Sequence, residues 1–191
     1  MRADPAEFRK LELRCHSLLA GVPLHDVWAI PLSGGGPDRT MDDVRAVAPL
    51  GVDIPNLPVR ALVGLRRALG RLFGWDDRRH DPPAESYVHR LTEEDRAGSR
   101  IDPGTQEGLF RALYLFPDEA LYEVRNATVH AFLATALVAR TGGYMLYWAI
   151  YVKPVGRLTP VYMALIDPFR RFVVYPALIR DIQAVWARAF G

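Results

Sequence analysis

The stretch TVHAFLATALVARTGGYMLYWAIYVK, residues 128–153, decides the fold. From Asn126 to Val152 the only formal charge is Arg140, so a membrane span is the first reading to weigh. A span needs about 20 uninterrupted apolar residues. Arg140-Thr141-Gly142-Gly143 breaks the run near its middle, and both halves are rich in Val, Thr, Tyr, Trp and Phe, residues that fit a pleated surface. The stretch therefore predicts two strands joined by a glycine-containing turn, and no membrane span.

Further strands lie just upstream. GLFRALYLF and ALYEVRN are separated by Pro117-Asp118-Glu119, so four strands crowd between Gly108 and Lys153. Before them, residues 76–105 are rich in charge, proline and glycine and read as loops around one short strand, SYVHRL. After them, Asp167-Pro168 is the expected start of a closing helix. Phe172, Tyr175, Leu178, Ile179, Ile182, Trp186 and Phe190 form its apolar stripe, with Arg170, Arg180 and Arg188 opposite. Pro176 is expected to bend this helix rather than end it, because the stripe continues in phase across it.

Toward the N-terminus, Asp4 caps a helix that has Pro5 at its first position. Gly21 and Pro23 end the helical segment, and HDVWAIPL follows as a short strand closed by Ser33-Gly34-Gly35-Gly36-Pro37. Thr40 and Asp43 mark a helix to about Val47. A stronger helix spans about Val59 to Phe73, with Arg60, Arg67 and Arg71 on its polar side and Arg66 inside its apolar face. The division is an N-terminal helical extension, 1–23, and an α+β domain, 24–191.

Composition sets the outer bounds. The chain has 191 residues, half of them hydrophobic and 24% charged, which excludes a mainly disordered chain. Its 24 Lys and Arg against 22 Asp and Glu leave a net charge of +2, giving no ground for a nucleic-acid partner. Cys15 is the single cysteine, so no intramolecular disulfide forms. MRADPAEFRK lacks the apolar run of a secretory signal, and the expectation is a cytoplasmic protein.

LFPDEALYEVRNATVHAFLATALV and GGYMLYWAIYVKPVGRLTPVYMALIDPFRRFVVYPALIRDI, with HDVWAIPL and LRRALGRLFGWD before them, resemble a bacterial family of unknown function. Relatives of that family also occur fused to short-chain-dehydrogenase-like domains. The family resembles the START-like superfamily, also called SRPBCC or helix-grip. The resemblance implies a curved antiparallel sheet packed on a long C-terminal helix, with an apolar ligand enclosed between them.

No strong catalytic motif accompanies this pattern. The serines lack the Gly-x-Ser-x-Gly elbow, the five histidines lack a spacing that pairs two on one helix face, and no metal site or cofactor is expected. Ser33-Gly34-Gly35-Gly36 lacks a phosphate-loop ending and reads as a turn. Cys15 sits between Arg14 and His16, but successive helix residues do not face each other, so it reads as structural.

Strand alternation groups His130 with Phe132, Ala134 and Ala136. It places Tyr144, Leu146, Trp148 and Ile150 on one face, and Met145, Tyr147, Ala149 and Tyr151 on the other. Neither face is polar, although a sheet with one solvated face alternates. The second face must therefore be covered by a helix, a ligand or another subunit, and the expectation is a homodimer. His130 is expected on the side under the closing helix. The candidate ligand-binding residues are His130, Tyr144, Tyr147, Trp148, Tyr151 and Arg66; none is assigned as catalytic. The leading reading is binding of a small apolar molecule between sheet and closing helix. The alternatives are a cyclase or dehydratase using His130 or a carboxylate as general acid/base, and a partner-binding domain with a filled core.

Overall fold

The computed structural model describes residues 1–48, 64, 85–125, 129–154 and 159–191. Of the helix expected over 59–73, Gly64 is described and is helical; the remainder, Arg66 included, lies outside the described residues.

Two short helices open the chain. In α1 (Pro5–Arg9) the Asp4 side chain accepts from the Ala6 N–H, satisfying one of the free donors of a helix start. The break before α2 (Arg14–Leu18) replaces the single expected helix with two. β1 (Leu24–Ser33) and α3 (Met41–Val47) follow, α3 opened by the reciprocal Thr40–Asp43 capping box. SYVHRL is not a strand: Tyr87–Arg90 form a 3₁₀ turn capped by Ser86. α4 (Glu93–Gly98) begins at a Thr92–Asp95 capping box, a signal present in the sequence that the loop-like composition around it obscures.

The strands are β2 (Gln106–Glu107), β3 (Phe110–Leu115), β4 (Glu119–Arg125), β5 (His130–Arg140) and β6 (Gly143–Lys153). All neighbours are antiparallel, in the order β1-β6-β5-β4-β3-β2. The first and last strands are thus partners, with Trp28 directly opposite Trp148. At the β5–β6 turn Gly143 has φ +156°, and a Cβ there would sit 2.1 Å from the Leu32 carbonyl oxygen. Only glycine fits that approach.

The closing helix is longer than expected. α5 (Thr159–Phe169) already runs before Asp167, a π-helical turn occupies Arg170–Val174, and α6 (Tyr175–Phe190) completes it. Pro176 therefore lies within continuous helix, as the apolar stripe predicts. The irregularity falls just before it: the Tyr175 N–H bonds to the Arg170 carbonyl, five residues back. A wide turn holds one residue more than an α-turn, so residues before it fall out of phase with those after it. This explains two departures from the helical wheel: Phe172 is 79% exposed, and Arg170 is buried.

The sheet carries a core on each face. Ile30, Leu32, Leu133, Leu137, Leu146, Trp148 and Ile150 pack with Met163, Ile166, Val174, Tyr175 and Trp186 of the closing helix. Its last turns are fastened to the end of β1: the Trp186 indole donates to the Ser33 carbonyl, and the Gly35 N–H donates to the Phe190 carbonyl. The serine-glycine run serves this junction, since a Cβ on Gly35 would lie 2.9 Å from the Trp186 ring. On the other face, Phe132, Ala134, Ala136, Tyr147, Ala149 and Tyr151 pack with Phe8, Cys15, Leu19, Val22, Tyr87 and Leu91. The N-terminal helices and the 3₁₀ turn thus cover the face for which a second subunit was the expected cover. The apolar second face is satisfied within one chain, which removes the reason for expecting a homodimer.

Candidate functional site

The expected ligand-binding residues divide between the two faces. Tyr144 and Trp148 face the closing helix, whereas His130, Tyr147 and Tyr151 face the N-terminal helices and the 3₁₀ turn. One cavity cannot gather them all, because the sheet itself intervenes. His130 is therefore on the opposite side from the one expected. Alternation groups it correctly with Phe132, Ala134 and Ala136, but says nothing about which layer covers that group.

His130 is fully buried, its ring against Tyr87 and Phe132. Its Nε2 lies 3.1 Å from Glu123 Oε2. Glu123 also accepts from the Ser86 hydroxyl and the Tyr87 N–H, and Arg125 lies 3.6 Å from it. Burial alone would raise the Glu123 pKa, but these partners hold it below the usual carboxylate range. An ionised Glu123 only accepts, so His130 Nε2 carries the proton. The serine hydroxyl bonds to the carboxylate rather than to the imidazole, an arrangement unlike a nucleophile–base pair.

Tyr147 packs on Phe8, and the Tyr151 hydroxyl lies 3.4 Å from His16 Nδ1, beside Cys15. The Cys15 thiol is buried, and burial followed by the nearby Glu119 pushes its pKa far up, the reverse of an activated nucleophile. Tyr144 is structural as well: its hydroxyl donates to the Gly36 carbonyl and accepts from the Arg39 N–H, tying down the glycine turn.

A second constellation gathers where β1 meets the π turn. His25 Nε2 is 2.7 Å from Asp167 Oδ2. Arg170 Nη1 is 3.1 Å from Asp167 Oδ1, and both Nε and Nη2 of Arg170 donate to the Tyr175 hydroxyl. The Tyr175 ring packs against Trp28 at 5.3 Å and Trp148 at 6.1 Å between centroids. Both indole N–H groups are buried and have no acceptor among the described residues. Burial raises the Tyr175 pKa to about 12 despite the adjoining guanidinium, so its hydroxyl keeps its proton.

Ligand atoms of His25, Asp26 and Asp167 lie within 4.8 Å of one another. Guanidinium groups already match this carboxylate charge: Asp26 Oδ1 is 3.2 Å from Arg171 and 3.4 Å from Arg2, while Asp167 pairs with Arg170. A divalent cation there would face three arginines, so the arrangement suits an ion-pair network better than a metal centre. Of the residues assembled here, the sequence reading singled out Trp148 alone. His25 and Asp167 are 142 residues apart, and Trp28 meets Trp148 only because the first strand pairs with the last.

The family described as "Protein of unknown function (DUF2867)" matches residues 18–177, and the chain belongs to it. Among solved structures, the chain is similar to one titled "Crystal structure of the di-domain ARO/CYC StfQ from the steffimycin biosynthetic pathway". The identity is 13%, the match covers 85% of this chain and 51% of that one, and the TM-score is 0.38. The chain spans about half the length of that structure. No curated protein matches.

Proposed function

We propose that this member of the DUF2867 family binds a small, largely apolar molecule between the sheet and the closing helix, against Trp28, Trp148 and Tyr175. The observation that carries this reading is the pair of buried indole N–H groups without acceptors among the described residues, on the sheet face that the closing helix covers. An unmet buried donor costs about 1–3 kcal/mol, and two on adjacent strands make a ligand oxygen the simplest partner. Aliphatic and aromatic walls with a few polar groups are the usual construction of a small-molecule site. Of the residues singled out from sequence, Trp148 belongs to this site; His130, Tyr147 and Tyr151 do not.

Native mass spectrometry of the protein purified from its own host tests the reading. A retained mass released on denaturation is expected, and Trp148→Phe should reduce its occupancy. A bare protein in every preparation, with unchanged tryptophan emission on adding apolar compounds, overturns it.

A second reading, an acid/base enzyme on the same scaffold, gains support from the His25–Asp167 pair. The imidazole is oriented by a carboxylate at 2.7 Å and its side chain is 25% exposed. Such an enzyme would accelerate exchange of the α-protons of 1-tetralone into deuterated water, and His25→Ala would abolish the acceleration. Exchange at the uncatalysed rate with the wild-type protein removes this reading.

A further inference from the structure

The Tyr175 hydroxyl defines the chemistry of the bound group. Arg170 approaches its oxygen with two donors, Nε at 2.7 Å and Nη2. A phenolic oxygen that accepts twice has only its own proton left to offer, and that proton has no acceptor among the described residues. A guanidinium offers N–H donors and no acceptor, so it holds the hydroxyl as a donor. Asp167 accepts from Arg170 Nη1 and fixes the guanidinium, and His25 braces Asp167 from the far side. The indoles of Trp28 and Trp148 are donors only.

The three rings that pack together at this point therefore present hydrogen-bond donors and no acceptor. We infer that the ligand bears an acceptor-only oxygen, the carbonyl of an aromatic or polycyclic ketone, and that Tyr175 is the residue that polarises it. The inference rests on the binding reading above and narrows it. A hydroxyl-bearing analogue could accept from the same donors, but its own proton would be buried without a partner, a costly arrangement. An unsubstituted hydrocarbon would leave the donors unmet. A carboxylate would bring a full charge to a place where Arg170 is already paired with Asp167.

Three probes of nearly one shape separate these cases: 9-fluorenone, 9-fluorenol and fluorene, titrated against tryptophan emission. The ketone is expected to bind about tenfold tighter than the hydrocarbon, the equivalent of about one hydrogen bond, with the alcohol no better than the hydrocarbon. The infrared carbonyl stretch of bound fluorenone should move to lower wavenumber than in a hydrocarbon solvent. Tyr175→Phe should reduce the ketone's advantage and move the stretch toward its free value. Should that variant fail to fold, Trp148→Phe keeps the acceptor for Arg170 and removes one donor, and a reduced ketone advantage is expected from it. Equal affinity for all three probes, or an unshifted carbonyl stretch, overturns the inference while the binding reading stands. No binding of any probe overturns both.

Discussion

Glu119 and Glu123 begin and nearly end one strand, both with side chains about 1–2% exposed, yet their surroundings act in opposite directions. Glu119 is pushed up by burial, which outweighs the bonds from the Arg14 N–H and the Tyr114 hydroxyl. Glu123 is held down by His130, Ser86 and Tyr87 against the same kind of burial. A carboxyl whose pKa falls on folding stabilises the fold when ionised. The Glu123 contribution is therefore full above its ordinary value of 4.5 and is lost as pH falls through the lower folded value. A carboxyl whose pKa rises on folding does the reverse, so the Glu119 contribution is full below 4.5 and is lost as pH rises through its raised value. Glu123→Gln should cost about 2–4 kcal/mol at pH 7, since His130 and Arg125 lose a buried partner charge, and it should flatten the acid limb of stability. Glu119→Gln should cost less at pH 7. Urea titrations of both variants from pH 3 to pH 8 check this, and equal losses would contradict the assignment.

The π turn is the feature of the elements with most consequence. A uniform α-helix would align Phe172 with Trp186 on one buried stripe, whereas the wide turn places Phe172 in solvent and brings Arg170 inward toward Tyr175. Phe172→Ser should accordingly change stability by no more than about 0.5 kcal/mol. Trp186→Ala, at a residue 1% exposed with its indole bonded to Ser33, should cost about 3–5 kcal/mol. Thermal or denaturant unfolding of the two variants distinguishes them, and a large loss from Phe172→Ser would place that ring in the core. The strands were legible because a period of two survives in any context. Continuity of the closing helix was legible through its stripe, but the turn inside it was not, because a widened turn leaves no residue signature besides the nearby prolines. The capping box is legible at Thr40, whereas the one at Thr92 is masked by charged, glycine-containing surroundings that read as loop.

For the whole molecule, the N-terminal helices serve as one layer of the fold. Phe8, Cys15 and Leu19 are each at most 2% exposed and pack on the sheet face that carries Phe132, Tyr147 and Tyr151. Removing residues 1–23 should expose that face and drive association, as large uncovered apolar patches do. Sedimentation velocity at micromolar concentration should show the full chain smaller than the truncated one. A truncated chain that remains folded and monomeric would mean that the extension is dispensable cover.

What the sequence determined by itself was local and periodic: which residues form β1 and β3 to β6, where the glycine turn falls, which side chains share a strand face, and that a long helix closes the chain. Tertiary structure alone decided which layer covers each face, and so moved His130, Tyr147 and Tyr151 away from the closing helix while leaving Trp148 beneath it. It also brought Trp28 to Trp148 by pairing the first strand with the last, and His25 to Asp167 by setting the closing helix beside the start of β1. The physical reason is that alternation follows from backbone geometry within a few residues. Assignment of a face to its cover depends instead on burial and pairing between segments far apart in the chain, and local spacing carries no record of those contacts.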